Sequence, residues 1–423
     1  MLRGPLSVTK NGVRKIVTGR LLLLSLVLAP FLVRAQIDPD KRTLFQLGYN
    51  QPLVGNSPIA AYAFYYRNQP DFLSHSNLTL RLAIAPVYVD SELGIRGAFG
   101  ENTDVGLGVA GGGFADSYYE INGGQYLKGE SFTGHGGLVS ASVYHLFNPG
   151  QRVPLSGVFH VIPHYSLYER DSDTAPNFVL PHDHLTVSTR AGLRLGGREP
   201  VMIPDVALEL SVWYENQYRT GSGAYGINGD RELKELSHLF WARALFIYTT
   251  KAHHNFSLSV SAGGSMEVDR FSAYRLGGDL PLSSEFPLII PGYYYQELSA
   301  RKFVCFTGEY SLPLDHEQRW SLKALGSVAG VDFIPDEDQS RHFNSGVGAG
   351  IGYRSKSGFW QVIGSYGYGF QALRNNGPGG QSIGLLCQID FEARHRAHQS
   401  APLLDPTSPQ NSRGLFRFLQ NVF

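Results

Sequence analysis

The chain has 423 residues, and its 36 Lys and Arg balance 36 Asp and Glu, so nothing in the charge points to nucleic acid or to a polyanionic partner. It is rich in Gly (49), Tyr (23) and Phe (25), only 17% charged, and its mean hydropathy is -0.14. That composition excludes a polytopic helical membrane protein and is unlike a helical enzyme. It suits an all-β transmembrane barrel, where half of each strand faces water, Gly relieves crowding and aromatics mark the membrane interfaces.

The first 35 residues read as a secretory signal. Arg3, Lys10, Arg14, Lys15 and Arg20 form a basic head. Residues 21–33 form an apolar run too short to span a bilayer comfortably, and Val33-Arg34-Ala35 offers a cleavage site. A retained N-terminal anchor is the competing reading. No later stretch reaches 18 consecutive apolar residues, which argues against a second helical span. The expected organisation is a signal peptide over 1–35, a barrel over 36–392 and a linker with a short tail over 393–423.

Period-two alternation then recurs along the chain. Leu78, Leu80, Leu82 and Ile84 alternate with Thr79, Arg81 and Ala83. Leu185, Val187, Ala191, Leu193 and Leu195 oppose a face carrying Arg190 and Arg194. Leu208, Leu210, Val212 and Tyr214 oppose Glu209, Ser211, Trp213 and Glu215. Phe240, Ala242, Ala244, Phe246 and Tyr248 oppose a face containing Arg243. Near the end, Ile383, Leu385, Cys387, Ile389 and Phe391 alternate with Gly384, Leu386, Gln388 and Asp390.

The pattern predicts about sixteen strands: 43–50, 58–67, 77–89, 92–100, 103–114, 132–147, 155–169, 184–197, 203–218, 237–250, 255–267, 301–313, 318–332, 343–354, 359–371 and 381–391. A soluble β-sandwich would alternate too, so the connections must decide. Those after even strands are mostly short, and those after most odd strands are long, with residues 268–300 the longest. Tight turns at one end and long loops at the other are the outer-membrane pattern, with turns and both termini in the periplasm. In the hairpin of strands 184–197 and 203–218, Arg194 and Glu209 should lie roughly opposite on the lumen face, with Arg190 and Glu215 nearby.

Residues 271–314 read FSAYRLGGDLPLSSEFPLIIPGYYYQELSARKFVCFTGEYSLPL. This stretch resembles the bacterial surface antigen family, the superfamily that includes BamA. The residues that carry the likeness are Arg275-Leu276-Gly277-Gly278, the tip Pro291-Gly292-Tyr293, and Glu309-Tyr310 followed by Pro313-Leu314. Residues 346–354, 366–369 and 383–391 are similar to that family's last strands, and the likeness extends over about 255–391. It implies a sixteen-strand barrel in which Arg275, Gly277, Gly278, Gly292, Tyr293, Glu309 and Tyr310 shape a loop and its neighbouring strand. The family's tip carries Arg where this chain has Pro291, and residues 320–333 lack a clear Asp-x-Gly to receive it. The family's periplasmic POTRA domains have no room between Ala35 and the first strand. In outer-membrane proteins an alternating strand ending on an aromatic serves as the insertion signal for the barrel-assembly machinery. Ile389 and Phe391 fit it better than the terminal residues 414–423.

Chemical motifs are sparse. Residues 106–111, GLGVAG, match G-x-G-x-x-G but lie inside a predicted strand with no helix to follow, so no nucleotide site is expected. No G-x-S-x-G occurs. His160 and His164 have helical metal spacing in a segment whose Pro163 and alternation deny a helix. His182 and His184, and the acidic run Asp336-Glu337-Asp338, read as solvated loops. Cys305 and Cys387 fall four strands apart, about 19 Å at 4.8 Å per strand. That exceeds the roughly 7 Å reach of a disulfide, so both are expected to be free and membrane-facing. The expected protein is a non-enzymatic outer-membrane pore or structural surface barrel with no cofactor and no metal. Its expected partners are outer-membrane lipid, lipopolysaccharide and, during biogenesis, the barrel-assembly machinery. The alternatives are a lipid-acting outer-membrane enzyme, or an assembly or translocation factor served by POTRA partners in trans.

Overall fold

A computed structural model describes residues 37, 41–151, 153–196, 208–250, 252–279, 286–335, 341–375 and 377–393. The signal segment before Ile37, the acidic run 336–338 and the tail beyond 393 lie outside the described residues.

Sixteen antiparallel strands follow one another around a closed barrel. They are β1 (Arg42–Pro52), β2 (Ala60–Pro70), β3 (Leu78–Ala85), β4 (Tyr88–Ile95), β5 (Thr103–Gly112), β6 (Thr133–Leu146), β7 (Leu155–Glu169) and β8 (His184–Gly196). The second half comprises β9 (Leu208–Arg219), β10 (Leu236–Thr249), β11 (Asn255–Met266), β12 (Leu298–Pro313), β13 (Trp320–Phe333), β14 (Phe343–Arg354), β15 (Trp360–Arg374) and β16 (Gly377–Asp390). β1 and β16 close the barrel in continuous register from Leu44↔Asp390 to Pro52↔Ser382. Closure leaves no unpaired sheet edge, which a strand protein in hydrocarbon cannot afford.

The two faces of each strand differ as the alternation predicts. On β9, Leu210 and Val212 are exposed, while Glu209, Ser211 and Trp213 are buried. The outward residues form an apolar wall that includes Leu193, Phe246, Leu258, Phe306, Val347 and Ile351. At the short-turn end, rings cluster on that wall. Trp320 lies 4.6 Å from Tyr353 between centroids, and Tyr353 lies 5.1 Å from Trp360. An aromatic girdle of this kind sits at the edge of a bilayer.

Three elements differ from expectation. The turn between β3 and β4 falls at Pro86-Val87, not at 90–91, because alternation runs on through Val87 and Val89 and hides the Pro signal. β15 and β16 run past their predicted limits through a bulge between Gly369 and Leu373, so the predicted long loop at 372–380 is a tight turn. Cys305 faces inward, 3% exposed, beside Phe303, Ala329 and Val331; it is not membrane-facing. Cys387 shares the outward parity of Ile383 and Leu385, and both cysteines are free.

Candidate functional site

Beyond the end of β11, the chain does not stay on the surface. Tyr274–Leu276 pairs with the start of β12, and two glycines then turn the chain inward. Gly277 and Gly278 have φ of 126° and 98°, and a Cβ on Gly277 would lie 2.4 Å from the Tyr294 carbonyl oxygen. Only glycine fits that combination of backbone and space.

The tip, Pro291-Gly292-Tyr293, lies against the inner wall of β14 and β15. A Cβ on Gly292 would sit 1.9 Å from the Gly369 nitrogen, and one on Gly346 would sit 2.2 Å from the Pro291 oxygen. The inward glycines of these two strands make the groove that receives the tip. Tyr293 is 1% exposed and its hydroxyl donates to Asn344 Oδ1 at 2.9 Å. Leu276, Ile290 and Tyr293 pack with Phe303, Cys305, Ala329, Val331 and Ala372, so the loop shares one apolar core with β12, β13 and β15.

Polar contacts fix the loop to the closing seam. Asp279 accepts from Asn50 Nδ2 of β1 at 3.0 Å and from the Gly292 amide at 3.0 Å. Arg374 of β15 donates to both carboxylate oxygens of Glu297, at 2.8 and 3.0 Å, and to the Gly292 carbonyl at 3.1 Å. Its guanidinium lies 3.7 Å from the centre of the Tyr294 ring. Beneath the tip, Glu309 of β12 and Lys323 of β13 form a buried ion pair, and with Asp279 and Pro291 they line one small enclosed space.

The opposite wall carries a second cluster. Arg190 stands directly across from Glu215, with Nε to Oε2 at 2.9 Å. Arg194 faces Ser211 in register, yet its Nε reaches Glu209 diagonally at 3.6 Å, and Arg243 Nη2 binds the same carboxylate at 3.1 Å. Trp213 and Trp241 stack nearly parallel with centroids 6.2 Å apart. Phe286, from the long loop, packs edge-on to both indoles at 5.5 and 5.8 Å. Gly192 is required under Trp213, since a Cβ there would lie 2.3 Å from the ring. Below this cluster Ile37, 2% exposed, packs with Tyr144, Val158 and Trp213 and donates its amide to Asp104 at 3.3 Å.

The remaining long loops meet over the mouth. Tyr118, Phe132, Phe178, Tyr225 and Leu233 form a core of their own, joined by Phe271 at the root of the long loop. A three-stranded sheet of Phe178–Val179, Gly223–Ile227 and Arg231–Leu233 braces it. Arg270 Nε binds buried Glu120 at 3.1 Å, with Arg231 at 3.6 Å. Burial opposes ionisation of Glu120, but Arg270 and Arg231 outweigh it and hold the carboxyl below the usual range. The dome spans the opening, because a Cβ on Gly124 would strike the Leu373 carbonyl of β15.

The residues singled out in the sequence therefore separate. Gly277, Gly278, Gly292 and Tyr293 build the inserted loop. Arg275 serves the dome instead, donating to the Arg270 carbonyl at 3.2 Å and lying 5.1 Å from the Tyr118 ring centre. Glu309 points inward, while Tyr310 points outward and bonds His254 at 2.7 Å. Phe391 lies just past β16 and reaches across the seam to Tyr65, ring centres 6.5 Å apart. His160 and His164 bond Ser142 and Asp116, each at 2.7 Å. Among the described residues, no three His, Cys, Asp or Glu side chains are placed to hold a metal. Asp279, Glu297, Arg374, Lys323 and Phe286 were not legible as site residues. Asp279 alone had a local cue, since it follows the Gly-Gly turn.

A closed sixteen-strand antiparallel barrel with an apolar outer wall and a loop inserted into its lumen has the fold of a transmembrane β-barrel, and that fold is BamA-like. No protein-family model matches the chain, and no curated protein does. Its fold is similar to that of BamA from Haemophilus ducreyi lacking POTRA domains 1–3 (TM-score 0.53, 10% identity, 83% of this chain and 71% of that one). It is similar to CdiB from Escherichia coli (0.53, 13%, 84% and 64%) and CdiB from Acinetobacter baumannii (0.51, 10%, 83% and 60%). The chain thus spans less than two thirds of either CdiB. At these identities the likeness is one of fold.

Proposed function

We propose that this chain is a passive, non-enzymatic outer-membrane barrel held shut by its own long loop. Its long loops face the exterior, and its short turns and termini face the periplasm. The observation that carries the reading is the docking of residues 277–279 and 286–297 inside the lumen, through Asp279 to β1 at the closing seam and through Arg374 and Glu297 to β15. An open pore needs a continuous aqueous path. Here the loop fills one side of the lumen and the dome covers the mouth. Buried charges in the wall are matched to partners, the arrangement of a braced interior more than of a conducting ring.

Planar-bilayer recording tests this. The unaltered chain is expected to stay closed with rare, brief openings. Removing residues 279–295 and joining Gly278 to Gln296 should give a stable open channel, with heat-modifiable gel mobility verifying that the barrel has folded. Steady conductance by the unaltered chain would overturn the closed reading. Release of fatty acid from vesicles would replace it with an enzymatic one.

A further inference from the structure

Two described residues precede β1: Lys41 is exposed, and Ile37 is 2% exposed. The seat of Ile37 is built for its side chain. Gly94 of β4 supplies the hole, since a Cβ there would lie 2.5 Å from Ile37 Cδ1 and 3.0 Å from its Cγ2. Tyr144 of β6, Val158 of β7 and Trp213 of β9 pack around it. Asp104 of β5 holds the backbone. Its buried carboxylate accepts the Ile37 amide at 3.3 Å through Oδ2 and the Gly97 amide at 2.8 Å through Oδ1. Gly94, Asp104, Tyr144 and Val158 all lie near the short-turn ends of their strands, so Ile37 is seated at the mouth opposite the dome. Trp213 also carries Phe286 of the long loop, ring centres 5.5 Å apart. The segment ahead of β1 and the long loop thus meet on one indole.

The sequence places a cleavage site at Val33-Arg34-Ala35, just ahead of this residue. Hydrolysis of the Ala35–Gln36 bond by a leader peptidase consumes one water and leaves a carboxylate on Ala35 and an ammonium on Gln36. The mature chain then begins Gln36-Ile37. The first residues of a chain stay disordered unless something ties them down, and here the hole at Gly94 and the Asp104 carboxylate do so. Before cleavage, Ile37 is continuous with a leader that carries Arg3, Lys10, Arg14, Lys15, Arg20 and an apolar run. Such a leader has no place in a lumen that already holds the loop, so it draws Ile37 away from its seat.

We propose that Gly94, Asp104, Tyr144, Val158 and Trp213 form a binding site for the N-terminus that signal-peptide cleavage creates, with Ile37 as the peg that fills it. Seating of the peg narrows the short-turn mouth and braces Trp213 against Phe286, which ties maturation of the chain to the position of the plug. The bracing rests on the closed-barrel reading; the seating itself does not.

Methyl NMR in detergent tests the seating, with isoleucine δ1 methyls labelled and each barrel verified by heat-modifiable mobility. The resonance lost in Ile37→Val belongs to Ile37. In the chain that begins at Gln36, it should be displaced from the unstructured position and show a cross-peak to the Tyr144 or Trp213 ring. Gly94→Ala should return it to the unstructured position, because the new Cβ takes the space of Cδ1. The precursor, refolded with residues 1–35 attached, should also show it unstructured. An unstructured Ile37 methyl in the mature chain would overturn the site, and a seated one in the precursor would overturn its dependence on cleavage. In planar bilayers, Gly94→Ala should multiply the brief openings several-fold. Unchanged openings, with the methyl unseated in that same variant, would overturn the bracing of the loop. Steady conductance by the unaltered chain would instead remove the closed-barrel reading and leave the seat standing.

Discussion

Arg374 and Glu297 are each about 1% exposed, and each satisfies the other with two hydrogen bonds. A buried pair of this kind gains little over an apolar pair of equal volume, but losing one partner strands a charge. Arg374→Met should therefore destabilise the folded barrel by roughly 3–5 kcal/mol. Adding Glu297→Leu should restore much of that loss. Denaturant midpoints of the folded form in vesicles check both variants. A double variant as weak as the single one would mean that Arg374 acts through its bond to the Gly292 carbonyl instead. Neither residue was legible as a partner. Arg374 lies past the predicted end of its strand, and Glu297 lies in the long loop, 77 positions away. By contrast the pairing of Arg190 with Glu215 was nearly legible, because both share a strand face and one hairpin fixes the register. Local pairs can be read from alternation; pairs made by a loop that folds back into the lumen cannot.

At the scale of elements, the β1–β16 seam is clasped from both faces. Inside, Asp279 joins Asn50 of β1 to the Gly292 amide of the loop, whose tip lies against Gly380 of β16. Outside, Phe391 spans the seam to Tyr65 of β2 and packs on Phe359 at 5.8 Å. Asp390 then stops the strand, accepting the amides of Glu392 and Ala393 at 3.0 Å each. Glu392 in turn accepts from Thr43 at 3.1 Å and pairs with Lys41 at 3.3 Å. The predicted insertion strand is thus the closing strand, and its aromatic end is part of the closure. Phe391→Ala should lower the yield of heat-modifiable barrel in the membrane fraction, while deleting residues 414–423 should leave it unchanged. The reverse result would move the insertion signal to the chain's end. The strands themselves were legible nearly one for one, because each needs only an apolar face, a polar face and a turn. The destination of the long loop was not. Leu276, Ile289 and Ile290 are apolar enough to be buried, but nothing local says against which wall.

For the whole molecule, the two cysteines report which way the barrel is turned inside out. Both were expected to face the membrane, and the structure divides them. Cys387 shares its parity with Ile383, Leu385 and Ile389 and faces outward. Cys305 has the parity of Phe303, Thr307 and Glu309, and it is covered by the loop core. The parity error arose because Phe303, Cys305 and the neighbouring strand's Ala329 and Val331 make an inward face as apolar as a lipid-facing one. That face is apolar because the plug packs on it, so the sequence of β12 and β13 already bears the mark of an occupied lumen. In the barrel inserted in vesicles, a membrane-partitioning maleimide should therefore modify Cys387 and spare Cys305, read by peptide mass. Removal of residues 279–295 should uncover Cys305 to a small water-soluble maleimide while leaving Cys387 as it was. Equal labelling of both residues in the intact barrel would mean that the loop does not cover the wall, and the closed lumen would fall with it. Labelling of neither, in a chain verified as folded, would place Cys387 against a protein surface instead of lipid.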